Sequence, residues 1–599
     1  MEQTARTAIR ATDRVLSMSD GQRTSPEDQS PAPSTAFAAA LLEGLVRRGV
    51  RDVVVAPGSR SQALALAAAA FERAGAIAVH VRIDERAAGF FALGLAVESR
   101  RPVAIVVTSG TAVANLHPAV LEAHHSLVPL ILLTADRPEE LRGIRSNQTT
   151  AQPGIFAKAT RFAVDVAAPS GLRSESRAAD ELADNAVSFA AGRGEAGAGP
   201  VHLNLAFREP LSSGFVHVPH QLVDALTDEG GLVTPPAAAP TAVYRPSILL
   251  DRDKRTVVIA GHAAGPAAES LAHAGGWPLI AEVSSDARYG RNLVVAYRRL
   301  LADPALGGRI ERAVVFGHPT LSREVPALLS REGMDVTVVA PTGGEVYNPG
   351  RRAVRVVSAV SVVEGPVDRQ WLGSWITASR GIAEAESRDS APDLEAARSH
   401  DPAERLAYVK AEFSAVRQPI DRRLLVEAVW RATWPHDRLV LGASRLIREA
   451  DAVVGGKKVR VHANRGLAGI DGTISTALGI ATASQRAGGA GVTRVLVGDL
   501  TALHDIGGLL LAAGETPPRL QLVVGDDGGG TIFDGLEVAT SARKDDIDRV
   551  LYTPRSVDFE ALARGFGWGH ARATTRAELD QALTAQTSAP TLIEVPLER

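Results

Sequence analysis

The chain is 599 residues long and has a formal net charge of −3 at pH 7, with 65 lysines and arginines against 68 aspartates and glutamates. This length exceeds what one hydrophobic core accommodates and predicts roughly two to four domains. The balanced charge argues against nucleic-acid binding, and no apolar run reaches the length of a membrane span. Cysteine is absent, which excludes disulfides, iron–sulfur clusters, thiolate zinc sites and a thiol nucleophile. We therefore expect small-molecule partners, no nucleic acid and no stable membrane anchoring.

The first 33 residues carry both signs of charge and have no apolar core. They lack the apolar segment of a secretory signal. We predict a disordered N-terminal extension over 1–33, with Met18 as an alternative start, and residence in the cytoplasm.

The segment 34–212 alternates helical and strand-like patterns and is predicted to be one α/β domain. Its strands are rich in Val, Ile and Leu without strict alternation, which indicates burial on both faces of a parallel sheet. The predicted helices are 37–48 and 112–126, and the predicted strands are 52–56, 78–83, 103–108, 129–134 and 201–205.

Two further α/β units follow a Pro/Ala/Thr-rich linker at 234–242. We predict a central domain over 235–365, a connector over 366–420 that is helix-prone at 383–416, and a third domain over 421–599. The predicted strands are 256–260, 278–283, 313–316 and 336–340 in the central domain, and 438–441, 459–463, 494–497 and 521–524 in the third. The predicted fold class is α/β, with three domains that each consist of a mostly parallel sheet flanked by helices.

Glu85 follows the strand 78–83 and begins a helix rich in small residues. Open α/β sheets build their sites at the carboxyl ends of strands, which makes this carboxylate a candidate proton donor or acceptor. The alternative is that Glu85 only stabilises the helix dipole.

Two acidic, glycine-containing loops follow successive strands of the third domain. Gly498-Asp499 comes after one strand, and Gly525-Asp526-Asp527-Gly528 ends the next. Carboxylates and exposed backbone groups suit a divalent cation bound to a diphosphate, so we predict Mg²⁺ and a phosphorylated cofactor. The alternative is ordinary turn chemistry, in which Asp and Gly are common.

These loops resemble the metal and diphosphate motif of thiamine diphosphate enzymes. Leu500 stands where those enzymes usually have Gly, and Asp526 stands where they usually have Asn. The resemblance implies a thiamine diphosphate-binding fold, with Asp499, Asp526 and the Gly528 carbonyl as ligands of Mg²⁺ and Mn²⁺ as the alternative metal. It also implies that Glu85 hydrogen-bonds the aminopyrimidine and acts as a proton shuttle. In this superfamily the two domains face each other across a subunit interface, so we expect a homodimer or tetramer.

Several further motifs in order narrow the family. The chain resembles the 2-succinyl-5-enolpyruvyl-6-hydroxy-3-cyclohexene-1-carboxylate synthases of menaquinone biosynthesis from about residue 35 to its C-terminus. The motifs are Pro57-Gly58-Ser59-Arg60-Ser61, Asp84-Glu85-Arg86-Ala87-Ala88-Gly89-Phe90, Thr108-Ser109-Gly110-Thr111-Ala112-Val113-Ala114-Asn115, Ala135-Asp136-Arg137-Pro138, Asn147-Gln148-Thr149, Asn464-Arg465-Gly466 and Gly469-Ile470-Asp471-Gly472. The resemblance implies an enzyme that decarboxylates 2-oxoglutarate on the cofactor and adds the succinyl carbanion equivalent to isochorismate.

The same resemblance assigns residues to the two substrates, which are both dicarboxylates. Ser444 and Arg448 would hold the distal carboxylate of the succinyl unit. The residues assigned to isochorismate, with Ser59 assisting, are Arg60, Arg137, Asn147, Gln148 and Arg465, and Arg323 of the central domain matches a basic position that reaches the site. For any one of these arginines, a surface ion pair is the alternative interpretation.

The remaining predicted cofactor contacts flank the motifs already described. Ile470 would prop the bent cofactor, unless it is only a core residue, and Ile532 and Phe533 would line the thiazolium. The full predicted set of cofactor-binding residues is Pro57, Glu85, Ile470, Gly498, Asp499, Leu500, Asp526, Gly528, Ile532 and Phe533. We assign a structural role to His504. The loop Gly261-His262-Ala263-Ala264-Gly265 lacks the complete dinucleotide fingerprint, so nothing requires FAD in the central domain.

Two other functions remain open at this point. One is another thiamine diphosphate enzyme, such as an acetolactate synthase or a 2-oxo acid decarboxylase, whose substrates do not need all these arginines. The other is a non-catalytic relative that retains only the fold.

Overall fold

Three parallel β-sheets follow one another along the chain. The structure is a computed structural model that describes residues 31–599 except 195, 215, 217, 220–244, 387–392, 487 and 587. The predicted linker at 234–242 and all but 31–33 of the predicted extension lie outside the described residues. The first helix begins at Pro33, the last residue of that predicted extension.

The first sheet has six parallel strands flanked by helices. Its strands are β1 (Asp52–Val55), β2 (Ala78–Val81), β3 (Val103–Val107), β4 (Leu130–Asp136), β5 (Phe162–Val166) and β6 (Val201–Ala206). Its helices are α1 (Pro33–Arg47), α2 (Gln62–Arg73), α3 (Glu85–Ser99), α4 (Thr111–Asn115), α5 (His117–His125) and α6 (Ser174–Ala190). The spatial order is β2-β1-β3-β4-β6-β5. Every residue of β3 and β4 is buried, which explains why these strands have no polar alternation.

The central region contains a five-stranded parallel sheet and a separate parallel strand pair. Its strands are β7 (Ser247–Leu250), β8 (Thr256–Ala260), β9 (Leu279–Ala281), β10 (Arg312–Phe316), β11 (Asp335–Val339), β12 (Ala353–Val357) and β13 (Ala359–Val362). The α-helices of this region and of the connector are α7 (Ala267–Gly275), α8 (Tyr297–Ala302), α9 (Glu324–Leu329), α10 (Arg369–Glu386), α11 (Leu394–Arg398) and α12 (Pro402–Val416). The larger sheet has the order β12-β11-β10-β8-β9, and β13 pairs with β7.

The third sheet again has six parallel strands, in the order β15-β14-β16-β17-β19-β18. These are β14 (Arg438–Leu441), β15 (Arg460–His462), β16 (Thr493–Gly498), β17 (Leu520–Asp526), β18 (Gly569–Arg572) and β19 (Thr591–Pro596). The α-helices around them are α13 (Arg422–Ala432), α14 (Arg445–Val453), α15 (Thr473–Arg486), α16 (Asp499–His504), α17 (Val538–Ser541), α18 (Lys544–Ile547), α19 (Phe559–Gly565) and α20 (Arg576–Thr584). The predicted α/β class with three mostly parallel sheets is confirmed.

The sequence prediction left out six strands, namely β5, β7, β12, β13, β18 and β19. Most of them lie at sheet edges or in the separate pair, where the apolar signal is weak because one face is open. For example, β5 alternates between half-buried and exposed residues, and β18 is Gly-His-Ala-Arg. The helix predicted over 112–126 divides into α4 and α5 at Leu116, two residues before Pro118.

Helices α3 and α15 join the first and third sheets within the chain. Their backbones touch at two glycines: a Cβ on Gly94 would lie 2.0 Å from the Thr476 carbonyl oxygen, and one on Gly479 would lie 2.1 Å from that of Phe91. Residues of both helices belong to one buried core. This contact fixes the helix that Glu85 begins against the third sheet.

We predict that Gly94→Ala lowers the free energy of unfolding by roughly 1–3 kcal/mol, because overpacking at a backbone contact outweighs the better helix propensity of alanine. Gly373→Ala is the matched control, since Gly373 lies in α10 with no atom within 4 Å of a new Cβ. The control should match or exceed the wild-type stability in denaturant titration. Equal behaviour of the two variants would contradict the close helix contact.

Candidate active site

The two predicted metal-binding aspartates lie side by side at the carboxyl edge of the third sheet. Strands β16 and β17 are hydrogen-bonded neighbours with Gly498 opposite Gly525. Asp499 directly follows Gly498, and Asp526 directly follows Gly525. The strand register therefore brings both aspartates to the same edge of the sheet. The Asp499 side chain is buried, and its Oδ1 accepts the N–H of Leu500 at 2.8 Å.

This pair of carboxylates is electrostatically strained without a cation. The pKa of Asp499 is raised to about 6, mainly by burial and then by the charges of Asp527 and Asp526, against the hydrogen bond from Leu500. Burial also raises the pKa of Asp526, with Glu594 and Asp527 adding to the effect. A divalent cation between the two side chains would remove this strain.

The neighbouring acid, Asp527, has hydrogen-bond partners of its own. Its Oδ2 accepts a hydrogen bond from Arg422 Nη2 at 2.8 Å and another from the Thr531 hydroxyl. Because Arg422 and Thr531 occupy the Asp527 carboxylate, Asp499 and Asp526 are left as the candidate ligands.

The loop after β17 needs its glycines. Gly528 has φ +68° and Gly529 has φ +146°, and a Cβ on Gly529 would lie 2.4 Å from the Tyr552 carbonyl oxygen. Across the described residues, no three His, Cys, Asp or Glu side chains group closely enough to hold a metal. Two carboxylates and a backbone carbonyl still fit Mg²⁺, which characteristically takes one or two protein carboxylates and completes its shell with phosphate oxygens and water.

Glu85 is the first residue of α3, and its carboxylate is not used for capping. Asp84 is the N-cap, because its side chain accepts the N–H groups of Arg86 at 2.8 Å and Ala87 at 3.2 Å. The partly exposed Glu85 has one long contact, with Asn115 Nδ2 at 3.5 Å from Glu85 Oε2. Within the described part of the chain, no hydrogen bond or ion pair connects Glu85 to Asp499 or Asp526.

Arg86 instead connects the start of α3 to the end of α16. Its Nη2 donates to the His504 carbonyl oxygen at 2.9 Å, and the His504 ring lies 3.9 Å from Asp471. These contacts agree with the structural role assigned to His504.

One set of predicted substrate residues gathers at the carboxyl ends of the first sheet. Arg137 is buried, and its Nη1 donates to the Gln148 carbonyl oxygen at 2.9 Å and to the Ser109 hydroxyl. Burial lowers the pKa of Arg137, and the nearby charge of Arg60 lowers it further. Arg60 itself donates to the Phe207 carbonyl oxygen at 3.1 Å.

The remaining predicted residues of this region, Pro57, Ser59 and Asn147, are exposed. Asn147 accepts a hydrogen bond from the Thr149 hydroxyl through its backbone oxygen. This bond leaves the exposed Asn147 side chain uninvolved.

A second set lies between the central region and the third sheet. Ser444 is the N-cap of α14, and Arg448 Nη1 donates to its carbonyl oxygen at 2.9 Å. Burial lowers the pKa of Arg448, and Arg298 and Arg323 add to this by charge repulsion. Arg323 is exposed at the start of α9.

Arg465 completes this second set. It is 2 % exposed, and its Nε and Nη2 donate to the hydroxyl and the carbonyl oxygen of Thr320 at 2.9 and 3.1 Å. Among the described residues its Nη1 has no hydrogen-bond partner. Burial lowers the pKa of Arg465; the Glu282 charge opposes this and the Arg448 charge adds to it.

No hydrogen bond or ion pair in the described residues connects the first set to the second. Each set concentrates positive charge where it is partly desolvated, and this favours binding of carboxylates. A site that used both sets would need them to be brought together by a substrate or by a second copy of the chain.

The predicted cofactor-contact residues border the two acidic loops. Ile470 is half-buried in the loop before α15, where a Cβ on Gly472 would lie 1.9 Å from the Phe90 ring. Ile532 and Phe533 lie in the 3₁₀ turn Thr531–Gly535 after β17. Gly498 ends β16, and Leu500 is the second residue of α16.

The sequence analysis missed two buried acids whose charges act on Arg465 of the second set. Glu282 accepts the N–H groups of Thr320 and Leu321, both at 2.7 Å. Asp451 accepts hydrogen bonds from Tyr297 at 2.6 Å and Arg298 at 2.5 Å. Asp451 lies on the same buried helix face as Ile447 and Ala450. An acid among apolar residues at helical spacing was therefore the sequence signal for a buried carboxylate.

The glycine loop of the central domain has a packing role. His262 and His318 exchange two backbone hydrogen bonds of 2.9 Å, and a Cβ on Gly261 would lie 2.0 Å from the Pro319 nitrogen. The glycine therefore allows the loops after β8 and β10 to pair, which accounts for it without a dinucleotide.

Family models match both ends of the chain. The model described as "Thiamine pyrophosphate enzyme, N-terminal TPP binding domain" matches residues 35–159, and "Thiamine pyrophosphate enzyme, C-terminal TPP binding domain" matches 456–595. The two matches contain Glu85 and both acidic loops.

Curated relatives match nearly the full length. The chain is 57% identical over 581 residues to the 2-succinyl-5-enolpyruvyl-6-hydroxy-3-cyclohexene-1-carboxylate synthase of Leifsonia xyli, covering 95% of this chain and 97% of that one. It is 56% identical over 588 residues to the synthase of the same name from Clavibacter michiganensis, covering 96% and 98%.

Among solved structures, the chain is similar to benzoylformate decarboxylase from Polynucleobacter necessarius, with a TM-score of 0.60, 16% identity, and coverage of 94% of this chain and 98% of that one. At this identity the likeness supports the fold alone. No helix in the described part of the chain is long and apolar enough to span a membrane.

Proposed function

Because this chain belongs to the 2-succinyl-5-enolpyruvyl-6-hydroxy-3-cyclohexene-1-carboxylate synthase family of thiamine diphosphate enzymes, we propose that it decarboxylates 2-oxoglutarate and joins the succinyl unit to isochorismate. The products are the adduct of the family name and CO₂, formed on the route to menaquinone. The observation that carries the proposal is the pair of desolvated arginine sets, since both substrates are dicarboxylates.

The cofactor end of the site is proposed to consist of Asp499, Asp526 and the Gly528 carbonyl oxygen. These groups would hold Mg²⁺, or Mn²⁺, against the cofactor diphosphate. The raised pKa values of both aspartates support this assignment, because burial and neighbouring acids disfavour their negative charges and a bound cation would offset this.

At the other end of the site, thiamine diphosphate supplies a thiazolium that accepts the electron pair released by decarboxylation. Glu85 is proposed to exchange a proton with the ring nitrogen of the aminopyrimidine. Its carboxylate is available for this because Asp84, and not Glu85, caps α3.

The second arginine set is proposed to recognise 2-oxoglutarate and part of isochorismate. Arg448 and Ser444 would hold the distal carboxylate of the succinyl unit, with Arg323 nearby. Arg465 would offer its unpartnered Nη1 to isochorismate, and the set of Arg60, Arg137, Asn147, Gln148 and Ser59 would hold the rest of that substrate.

The assembly is proposed to be a homodimer, or a tetramer built from dimers. The support is that no hydrogen bond or ion pair among the described residues connects the two arginine sets within one chain. A second copy of the chain that brings its first domain to the third domain of its partner would place the two arginine sets in one site.

A substrate panel tests the function against its rivals. Purified protein with thiamine diphosphate and Mg²⁺ should release CO₂ from 2-oxoglutarate and form the adduct with isochorismate. Pyruvate as donor should lower kcat/KM by ~10–100-fold, because it lacks the carboxylate that Arg448 would bind. A preference for pyruvate would favour an acetolactate synthase-like enzyme, and absence of turnover with all donors would support a non-catalytic relative.

A further inference from the structure

We infer that Glu122 is a positioning residue for the second substrate: it fixes the loop that carries Arg465. The inference rests on the proposed function, because the role of Arg465 in binding isochorismate is part of that proposal. Glu122 lies on α5 of the first domain, whereas the loop over 464–472 belongs to the third.

The Glu122 carboxylate binds two consecutive backbone amides of the loop. Its Oε1 accepts the N–H of Gly466 at 2.7 Å, and its Oε2 accepts the N–H of Leu467 at 2.8 Å. Ser126 donates a third hydrogen bond to Oε1 at 2.8 Å. Since an ionised carboxylate only accepts hydrogen bonds, this two-oxygen arrangement fixes both the position and the orientation of the peptide that follows Arg465.

Steric contacts enforce the same placement. A Cβ on Gly466 would lie 2.7 Å from the Ser126 hydroxyl and 2.9 Å from the Glu122 carbonyl oxygen. Leu467, by contrast, is 53% exposed. Apolar burial therefore does not anchor this part of the loop, and the hydrogen bonds to Glu122 do.

The Arg465 side chain is fixed from the opposite direction by the central domain. Its Nε and Nη2 donate to Thr320, whose own N–H donates to Glu282. One terminal nitrogen, Nη1, is left without a partner among the described residues. The backbone anchor at Glu122 and the side-chain anchor at Thr320 together determine where that remaining donor is presented.

Packing alone does not explain a buried carboxylate at position 122. It is 4% exposed, and in the described part of the chain it forms no ion pair with lysine or arginine. The Glu122 carboxylate and the Arg465 guanidinium attract each other without forming a direct ion pair, and a buried carboxylate is still costly unless several hydrogen-bond donors satisfy it. The amides of the substrate loop are two of its three donors, which is why we assign its role to the loop.

Glu122→Gln tests this assignment. The amide nitrogen of glutamine would face a backbone N–H, so one of the two loop hydrogen bonds is lost. We expect the KM for isochorismate to rise ~10-fold or more, while the KM for 2-oxoglutarate and the Kd for thiamine diphosphate stay within about twofold. Glu122→Asp keeps both acceptor oxygens and should recover part of the isochorismate affinity.

Asp52→Asn is the matched control for general destabilisation. Asp52 is also a buried acid of the first domain, and it contacts Arg486 of the third domain at 2.5 and 2.7 Å. It is not in contact with the loop, so its variant should lower the Tm without a selective change in the KM for isochorismate.

The outcomes separate the inference from the function on which it rests. If the wild-type protein has no turnover, the proposed function fails. If the wild type is active and Arg465→Ala raises the KM for isochorismate but Glu122→Gln does not, the inference is overturned. It is also overturned if Glu122→Gln changes all constants together, as a loss of folding would. Should Glu122→Gln not fold, the same selective rise in KM for Glu122→Asp decides for the inference, and unchanged constants decide against it.

Discussion

Glu85→Gln is expected to lower kcat by ~10²–10⁴-fold, the usual contribution of a positioned acid–base group. Glutamine keeps the size of the side chain and can still accept a hydrogen bond, but it cannot exchange a proton with the aminopyrimidine. The affinity for thiamine diphosphate should change by only a few-fold, because Asp499 and Asp526 are unaltered. Steady-state kinetics and calorimetric titration of the cofactor measure the two quantities separately.

Glu404→Gln is the control for the helix dipole. Glu404 is also an acid in the first turn of a helix, α12, and it is exposed and distant from the acidic loops in sequence. If the first-turn charge alone mattered, both substitutions would cost the same few tenths of a kcal/mol of stability. Undiminished turnover of Glu85→Gln would remove Glu85 from its proposed role.

Asp499→Asn should produce two effects of opposite sign. The protein with Mg²⁺ should bind thiamine diphosphate at least ~10-fold more weakly, because the cation loses a charged ligand. The apoprotein should become more stable at neutral pH. The raised pKa of Asp499, at about 6, means that the folded state disfavours its charge. The resulting cost grows as the pH rises from the unfolded-state pKa of about 4 to the folded value and is then complete.

Asp527→Asn is the matched control, because it neutralises the acid next to Asp526. Asp527 is paired with Arg422 at 2.8 Å, so its neutralisation leaves a partly buried guanidinium without its partner and should lower the Tm of the apoprotein. Thermal melts with and without Mg²⁺ and cofactor give both comparisons. An Asp499→Asn variant with a lower apoprotein Tm and full cofactor affinity would contradict the metal assignment.

The sequence predicts the central strands and the acidic loops well, because both depend on local patterns. The fully buried strand β3 is a continuous apolar run, and Asp499 directly follows the mostly buried strand β16. The edge strand β5 was missed because its residues alternate between half-buried and exposed, so it has no continuous apolar run.

Contacts between domains could not be predicted in this way. Glu122 lies 344 positions from Gly466 in the chain, and only the packing of α5 against the third domain brings them together. The same holds for Thr320, whose hydrogen bonds with Arg465 join the central domain to the third. The roles of Arg323 and Arg448 and the predicted domain boundaries stay predictions.

A crystal structure with thiamine diphosphate and Mg²⁺ tests the account most directly, because it would locate both ends of the cofactor. We predict the metal on Asp499, Asp526 and the Gly528 carbonyl oxygen. We also predict that Glu85, from a second copy of the chain, lies within hydrogen-bonding distance, about 2.6–3.2 Å, of the aminopyrimidine ring nitrogen. A cofactor whose pyrimidine lies away from every Glu85, or whose diphosphate binds apart from Asp499 and Asp526, would contradict the account.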